Sequence, residues 1–110
     1  MSLFSMFTKQ NNVLSPQEAY KRMKEDTDAI ILDVRNDEEY RQIHIKGAIL
    51  IPLDKLQSQV VKKLPDKNAQ ILVYCHSGAR ASSAVSMLSR MGYTNVHSFG
   101  GIINWPYETV

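Results

Sequence analysis

One cysteine, Cys75, closes the apolar run Ile71-Leu72-Val73-Tyr74 and opens the segment Cys75-His76-Ser77-Gly78-Ala79-Arg80. A lone cysteine is usually a small buried hydrophobe, so the segment around it has to carry any claim to chemistry. Its residues are small where the backbone must curl, and Gly78 can adopt a positive φ without steric cost. A loop of this kind turns several backbone N–H groups toward one point and forms an anion nest. The helix that follows adds its positive N-terminal end, and Arg80 adds a permanent cation in the first helical turn. Each of these favours a thiolate over a thiol. Cys75 therefore reads as a nucleophile rather than a structural residue. Its neighbour His76 is less suited to act as a base, because adjacent residues in a curled loop point apart and an ionised thiolate needs none.

The elements that position this loop follow from the apolar pattern. Val13 and Leu14 precede Ser15-Pro16-Gln17-Glu18, a capping box with proline at the first helical position, and the helix runs to about Lys24. Ala29 to Val34 is apolar except for Asp33, as expected of a strand covered on both faces. Asn36 caps a short acidic helix through Tyr40, and Ala48 to Ile51 forms a strand stopped by Pro52. Leu53, Leu56, Val60, Val61 and Leu64 recur at helical spacing up to Pro65. Beyond the loop, Ala81, Ala84, Val85, Leu88 and Met91 mark one face of a helix, with Gly92 as its left-handed cap. Val96 to Phe99 gives a last strand, and Gly100-Gly101 opens a final turn leading to Trp105. Strands alternating with helices imply an α/β domain with a mainly parallel sheet covered on both faces. Ligands of such sheets bind beyond the carboxyl ends of the strands, which is where Cys75 falls.

The whole chain limits the alternatives. Its 110 residues suffice for one domain with a single core, read over 13–110 behind a flexible tail at 1–12. Thirteen basic residues stand against eleven acidic ones, spread along the chain, for a formal net charge of +2. Lys62, Lys63 and Lys67 are the densest basic group and have no aromatic residues between them, so a nucleic-acid footprint is not indicated. A single cysteine excludes an internal disulfide and a thiolate zinc cage, and three scattered histidines do not make a metal site. No stretch reaches the roughly 18 apolar residues of a membrane helix. A reducing, cytoplasmic setting without a cofactor or metal fits best.

Taken in order, these pieces resemble a single rhodanese-like domain. The matching residues are Leu32-Asp33-Val34-Arg35 with Glu39-Tyr40, then His44-Ile45-Lys46-Gly47-Ala48 leading into Ile51-Pro52. They continue with Tyr74-Cys75 and the loop to Arg80, Gly92-Tyr93 with Asn95-Val96, and Gly100-Gly101 up to Trp105. The resemblance implies a three-layer fold with a five-stranded, mainly parallel sheet flanked by helices. It also implies that Cys75 accepts sulfane sulfur and that His76, Ser77, Gly78, Ala79 and Arg80 cradle the substrate. One departure stands out: the family usually has glycine before the histidine of the His-Ile-x-Gly-Ala motif, where this chain has Ile43. Asp33 and Arg35 read as structural residues near the site, with Arg35 pairing to Glu39 or Asp33. His44 and His97 read as structural, hydrogen-bonded side chains. Trp105 is equally suited to a pocket wall and to the core.

Two reactions suit a cysteine in an anion nest, sulfur transfer and phosphoester hydrolysis. Four residues separate Cys75 from Arg80. Cysteine phosphatases typically have a longer loop, and expelling an alkoxide usually needs a general acid, whereas sulfite or a thiolate leaves unprotonated. The expected activity is that of a thiosulfate sulfurtransferase, moving sulfur from thiosulfate or a persulfide to a thiol, cyanide or a protein acceptor. A sulfur-relay protein is the alternative, ahead of a cysteine phosphatase or a noncatalytic interaction module.

Overall fold

Ser15 starts the first helix as its sequence foretells. Its hydroxyl accepts the Glu18 N–H at 3.0 Å, and Pro16 takes the first position of α1, Pro16–Glu25. The reciprocal half of the box is not made, because Arg22, one turn on, takes the Glu18 carboxylate at 3.2 Å. The computed structural model of the chain describes residues 13–110, so the flexible tail expected at 1–12 lies outside the described residues.

After α1 the chain runs through β1, Ile30–Asp33; α2, Asp37–Gln42; β2, Ile49–Leu50; and α3, Leu53–Lys63. It continues with β3, Ile71–Cys75; α4, Ala79–Arg90; β4, Val96–Gly101; and a 3-10 turn, Ile102–Asn104. The strands pair in the order β2-β1-β3-β4, all parallel. β3 is central and every one of its residues is buried.

The sheet has four strands among the described residues, not the five expected. Among the described residues, the segment before α1 meets β4 at a single bridge between Val13 and Ser98, where the Leu14 N–H donates to the Ser98 carbonyl at 2.7 Å. Ser15 and Pro16 then turn the chain into α1, which leaves no extended residues after the bridge to lengthen a ladder. Two smaller readings also change. Val61 is exposed on α3 rather than part of its buried stripe, and Gly100-Gly101 end β4 instead of opening the turn after it.

Strand alternation sends side chains to two opposite faces. Leu32, Val34, Ile71, Val73 and Cys75 pack with Leu56 and Val60 of α3 and with Ala81, Ala84 and Leu88 of α4. On the other face Leu72, Tyr74 and Phe99 pack with Ala19 of α1, Ile45 and Trp105. Trp105 is thus a core residue on the face away from Cys75, with Phe99 and Tyr107 ring centroids at 5.2 and 5.0 Å. The result is a three-layer α/β domain whose fully buried middle strand ends at the cysteine.

Candidate active site

Cys75 is the last residue of β3 and is 1% exposed. Its Sγ accepts the backbone N–H of Gly78 at 3.0 Å, so the chain curls back over the sulfur within three residues. Gly78 stands at φ 124°, a conformation that L side chains rarely adopt, and caps α4. The first intrahelical bond of α4 is Ser82 N–H to the Gly78 carbonyl, which leaves the N–H groups of the first turn without helical acceptors. His76, Ser77 and Ala79 are exposed around this curl.

The floor of the loop comes from β4. Val73 faces Ser98, whereas Cys75 faces Gly101, so β4 carries one extra residue there. Gly100 absorbs this bulge at φ 87°. A Cβ on Gly101 would collide with the His76 carbonyl and the Ser77 nitrogen, so only glycine lets the loop lie this close. The Ile103 N–H then holds the His76 carbonyl at 3.3 Å. Sequence reasoning noticed this glycine pair but gave it no part in the site; two glycines ending a strand beside the central one were the available signal.

Arg80 directs its guanidinium at a carboxylate. Its two terminal nitrogens donate to the two carboxylate oxygens of Glu39, at 2.8 and 2.9 Å. Glu39 also completes a capping box on α2, accepting the Asn36 N–H at 3.0 Å while Asn36 accepts the Glu39 N–H at 2.8 Å. The hydrogen bonds from Arg80 hold the Glu39 carboxyl down at about 2, against the opposing effect of burial, and Glu39 in turn raises Arg80 above the ordinary guanidinium value.

Arg35 takes the other expected partner. It donates to Asp33 through Nε at 3.0 Å and through a terminal nitrogen at 2.7 Å, and its second bond at 2.7 Å goes to the Ile43 carbonyl. Tyr74 joins the knot, donating its hydroxyl to Asp33 at 2.5 Å and accepting the Ile45 N–H at 3.0 Å. Burial, seconded by the bond to Asp33, pushes the Tyr74 hydroxyl well above the usual phenol value. Burial opposes the Arg35 charge, but the hydrogen bonds and charge of Asp33 outweigh it and raise Arg35. This knot ties β1 and β3 to the segment after α2, next to the loop. Ile43 sits there at φ −165°, ψ 139°, extended backbone open to any residue, so replacing the family's glycine strains nothing.

The two other histidines singled out in the sequence have partners away from the sulfur. His44 stacks on Tyr40 at 3.7 Å and bonds its carbonyl at 2.8 Å, and His97 bonds Asn95 at 3.2 Å. Beside Arg80 a cavity of about 300 Å³ opens, lined by Val34, Asn36, Pro52, Leu53 and Asp54 together with both arginines. It adjoins the loop, while the sulfur itself lies beneath the loop's curl. No helix among the described residues is long and apolar enough to cross a membrane.

Comparison with known proteins bears on the family and the fold. The sequence profile of the rhodanese-like domain matches residues 15–106. Thiosulfate sulfurtransferase PspE of Escherichia coli is 44% identical over 71 residues, which cover 64% of this chain and 68% of that protein. The tRNA uridine(34) hydroxylase of Bdellovibrio bacteriovorus is 36% identical over 103 residues, 89% of this chain but only 29% of that much longer protein. Among solved structures, a rhodanese with anions from E. coli superposes with a TM-score of 0.70 at 39% identity, covering 74% of this chain and 96% of that one.

Proposed function

Because the chain belongs to the rhodanese-like family, we propose that it is a sulfurtransferase whose Cys75 carries the sulfur as a persulfide. The observation that carries this reading is the Gly78 N–H on Cys75 Sγ at 3.0 Å, beneath the curl of a glycine-floored loop. Cys75, as thiolate, attacks the outer sulfur of thiosulfate or of a persulfide. The donor's S–S bond breaks, and sulfite or a thiolate leaves with its electron pair. The enzyme persulfide then gives its outer sulfur to a thiol, to cyanide or to a protein thiol, in a double displacement with ping-pong kinetics.

His76, Ser77, Gly78 and Ala79 serve through their backbone, which surrounds the incoming sulfur, and Arg80 borders the approach. Near-complete burial of Cys75 favours a single sulfur atom at the tip of a donor over a phosphoryl group with three equatorial oxygens. Asp33, Arg35 and Glu39 act on the surroundings rather than on the reacting atoms. A reducing, cytoplasmic compartment belongs to the same proposal, since it keeps Cys75 available as a thiol between turnovers. A sulfur relay to a protein acceptor is favoured by one feature: Ile103, 58% exposed, stands beside the loop that its own N–H anchors and offers an apolar contact.

The test is Cys75→Ser. A hydroxyl fills nearly the same volume but forms no persulfide, so the variant folds and transfers no sulfur. Intact-mass measurement after thiosulfate treatment shows the wild type heavier by one sulfur atom and the variant unchanged. Wild-type turnover in the serine variant would remove Cys75 from the mechanism.

A further inference from the structure

The charge around the loop is not what a dianion receptor requires. Both arginines at the cavity are already paired, Arg35 with Asp33 and Arg80 with Glu39. The cavity also exposes Asp54, which makes no ion pair among the described residues. Counting the ion-pair partners of the two arginines, two guanidinium groups meet three carboxylates at this cavity beside the loop, one negative charge in excess. The anion-binding capacity of the loop rests on its backbone N–H groups.

We infer that Glu39 is a specificity-determining residue: by chelating Arg80 it biases Cys75 toward donors of low net charge, organic persulfides, and against the thiosulfate dianion. The inference rests on the sulfurtransferase reading and narrows its donor. Glu39 touches no reacting atom; it acts through Arg80, whose side chain is 37% exposed and so placed to meet an approaching donor once released. Opposite charge at the rim of a site changes association rates and their salt dependence more than it changes fold stability.

Glu39→Gln isolates the charge. Glutamine at this helix position still closes the capping box onto Asn36, so α2 keeps its start while Arg80 loses its counter-ion. The probes are thiosulfate and cysteamine persulfide, a zwitterion of zero net charge. In both cases Cys75 Sγ bonds the outer sulfur and the donor's S–S bond breaks, releasing sulfite or cysteamine thiolate, with no oxidant or reductant consumed. Second-order loading of Cys75 is followed by rapid-quench mass spectrometry.

The ratio of thiosulfate to cysteamine persulfide loading should rise on the order of tenfold in Glu39→Gln. Thiosulfate loading of the variant should also fall more steeply with added salt than that of the wild type. Glu39→Asp, which keeps the charge, should stay near the wild-type ratio. An unchanged or lower ratio in the glutamine variant overturns the inference, and so does an equal rise in the aspartate variant, which would assign the effect to side-chain length. Those results leave the sulfurtransferase reading intact provided the wild type loads. Loading by neither donor in the wild type overturns both.

Discussion

Two arginine–carboxylate pairs flank the loop, and their shortest contacts are nearly equal, 2.7 Å for Arg35 on Asp33 and 2.8 Å for Arg80 on Glu39. Their exposure differs: 2% and 0% for the first pair, 37% and 27% for the second. In the sealed pair each charge has lost its water, so removing one partner strands the other in the interior. In the open pair either charge can be rehydrated, and the bond contributes little to folding. Contact distance therefore does not tell the two apart. Access to water does: the first pair is sealed into the architecture, and the second stays open to solvent beside the loop.

The largest effect should come from Asp33→Ala. It leaves the Arg35 guanidinium buried without a counter-ion and removes an acceptor of Tyr74, and it should cost about 3–5 kcal/mol in urea unfolding. A loss below about 1 kcal/mol would place the sealed pair in the same class as the open one and break the comparison. Tyr74→Phe should cost about 1–3 kcal/mol, since the Ile45 N–H loses its buried acceptor. Sulfur loading per folded molecule should stay at the wild-type rate in this variant.

Arg80→Ala should reverse that profile. Its unfolding free energy should stay within about 1 kcal/mol of wild type. Thiosulfate loading should nevertheless fall on the order of tenfold, because Glu39 is left as a bare negative charge at the mouth. The smallest effect is that of pH. Glu39 titrates at about 2 in the folded protein against an ordinary value of 4.5. Between these values the unfolded chain binds more protons than the folded one, so stability rises with pH. The contribution is whole above about 4.5 and is lost as pH falls toward 2. Urea titrations across this window should show a shallower pH slope for Glu39→Gln than for wild type.

The order of elements was readable because each rests on local patterns: Pro16 after Ser15, the helical stripe ending at Gly92, the apolar run into Cys75. The capping boxes show where local reading stops. Ser15 and Asn36 both have glutamate three residues on, yet only Asn36 closes the full box. Glu18 has Arg22 one turn ahead and turns to it, whereas the position one turn beyond Glu39 is the apolar Ile43. Glu39 is thereby left for Asn36 and for Arg80, 41 residues distant. That last contact exists only because β1 and β3 are neighbours, and no spacing in the chain announces it. The choice between Asp33 and Glu39 as the partner of Arg35 depended on the same three-dimensional fact. The bulge at Gly100 likewise appears only when β4 is laid beside β3.

The amide of Gly78 has a use of its own. Its nitrogen lies 3.0 Å from Cys75 Sγ and donates to that atom, whose electron density would change each time sulfur arrived or departed in the proposed reaction. Under the proposed mechanism the resonance of that single glycine amide is therefore a gauge of occupancy, expected to move when Cys75 Sγ becomes the inner sulfur of a persulfide and to return when the outer sulfur is handed on. Isotope-labelled protein in a spectrometer can be watched through filling and emptying in real time, without a dye, a coupled assay or any alteration of the chain.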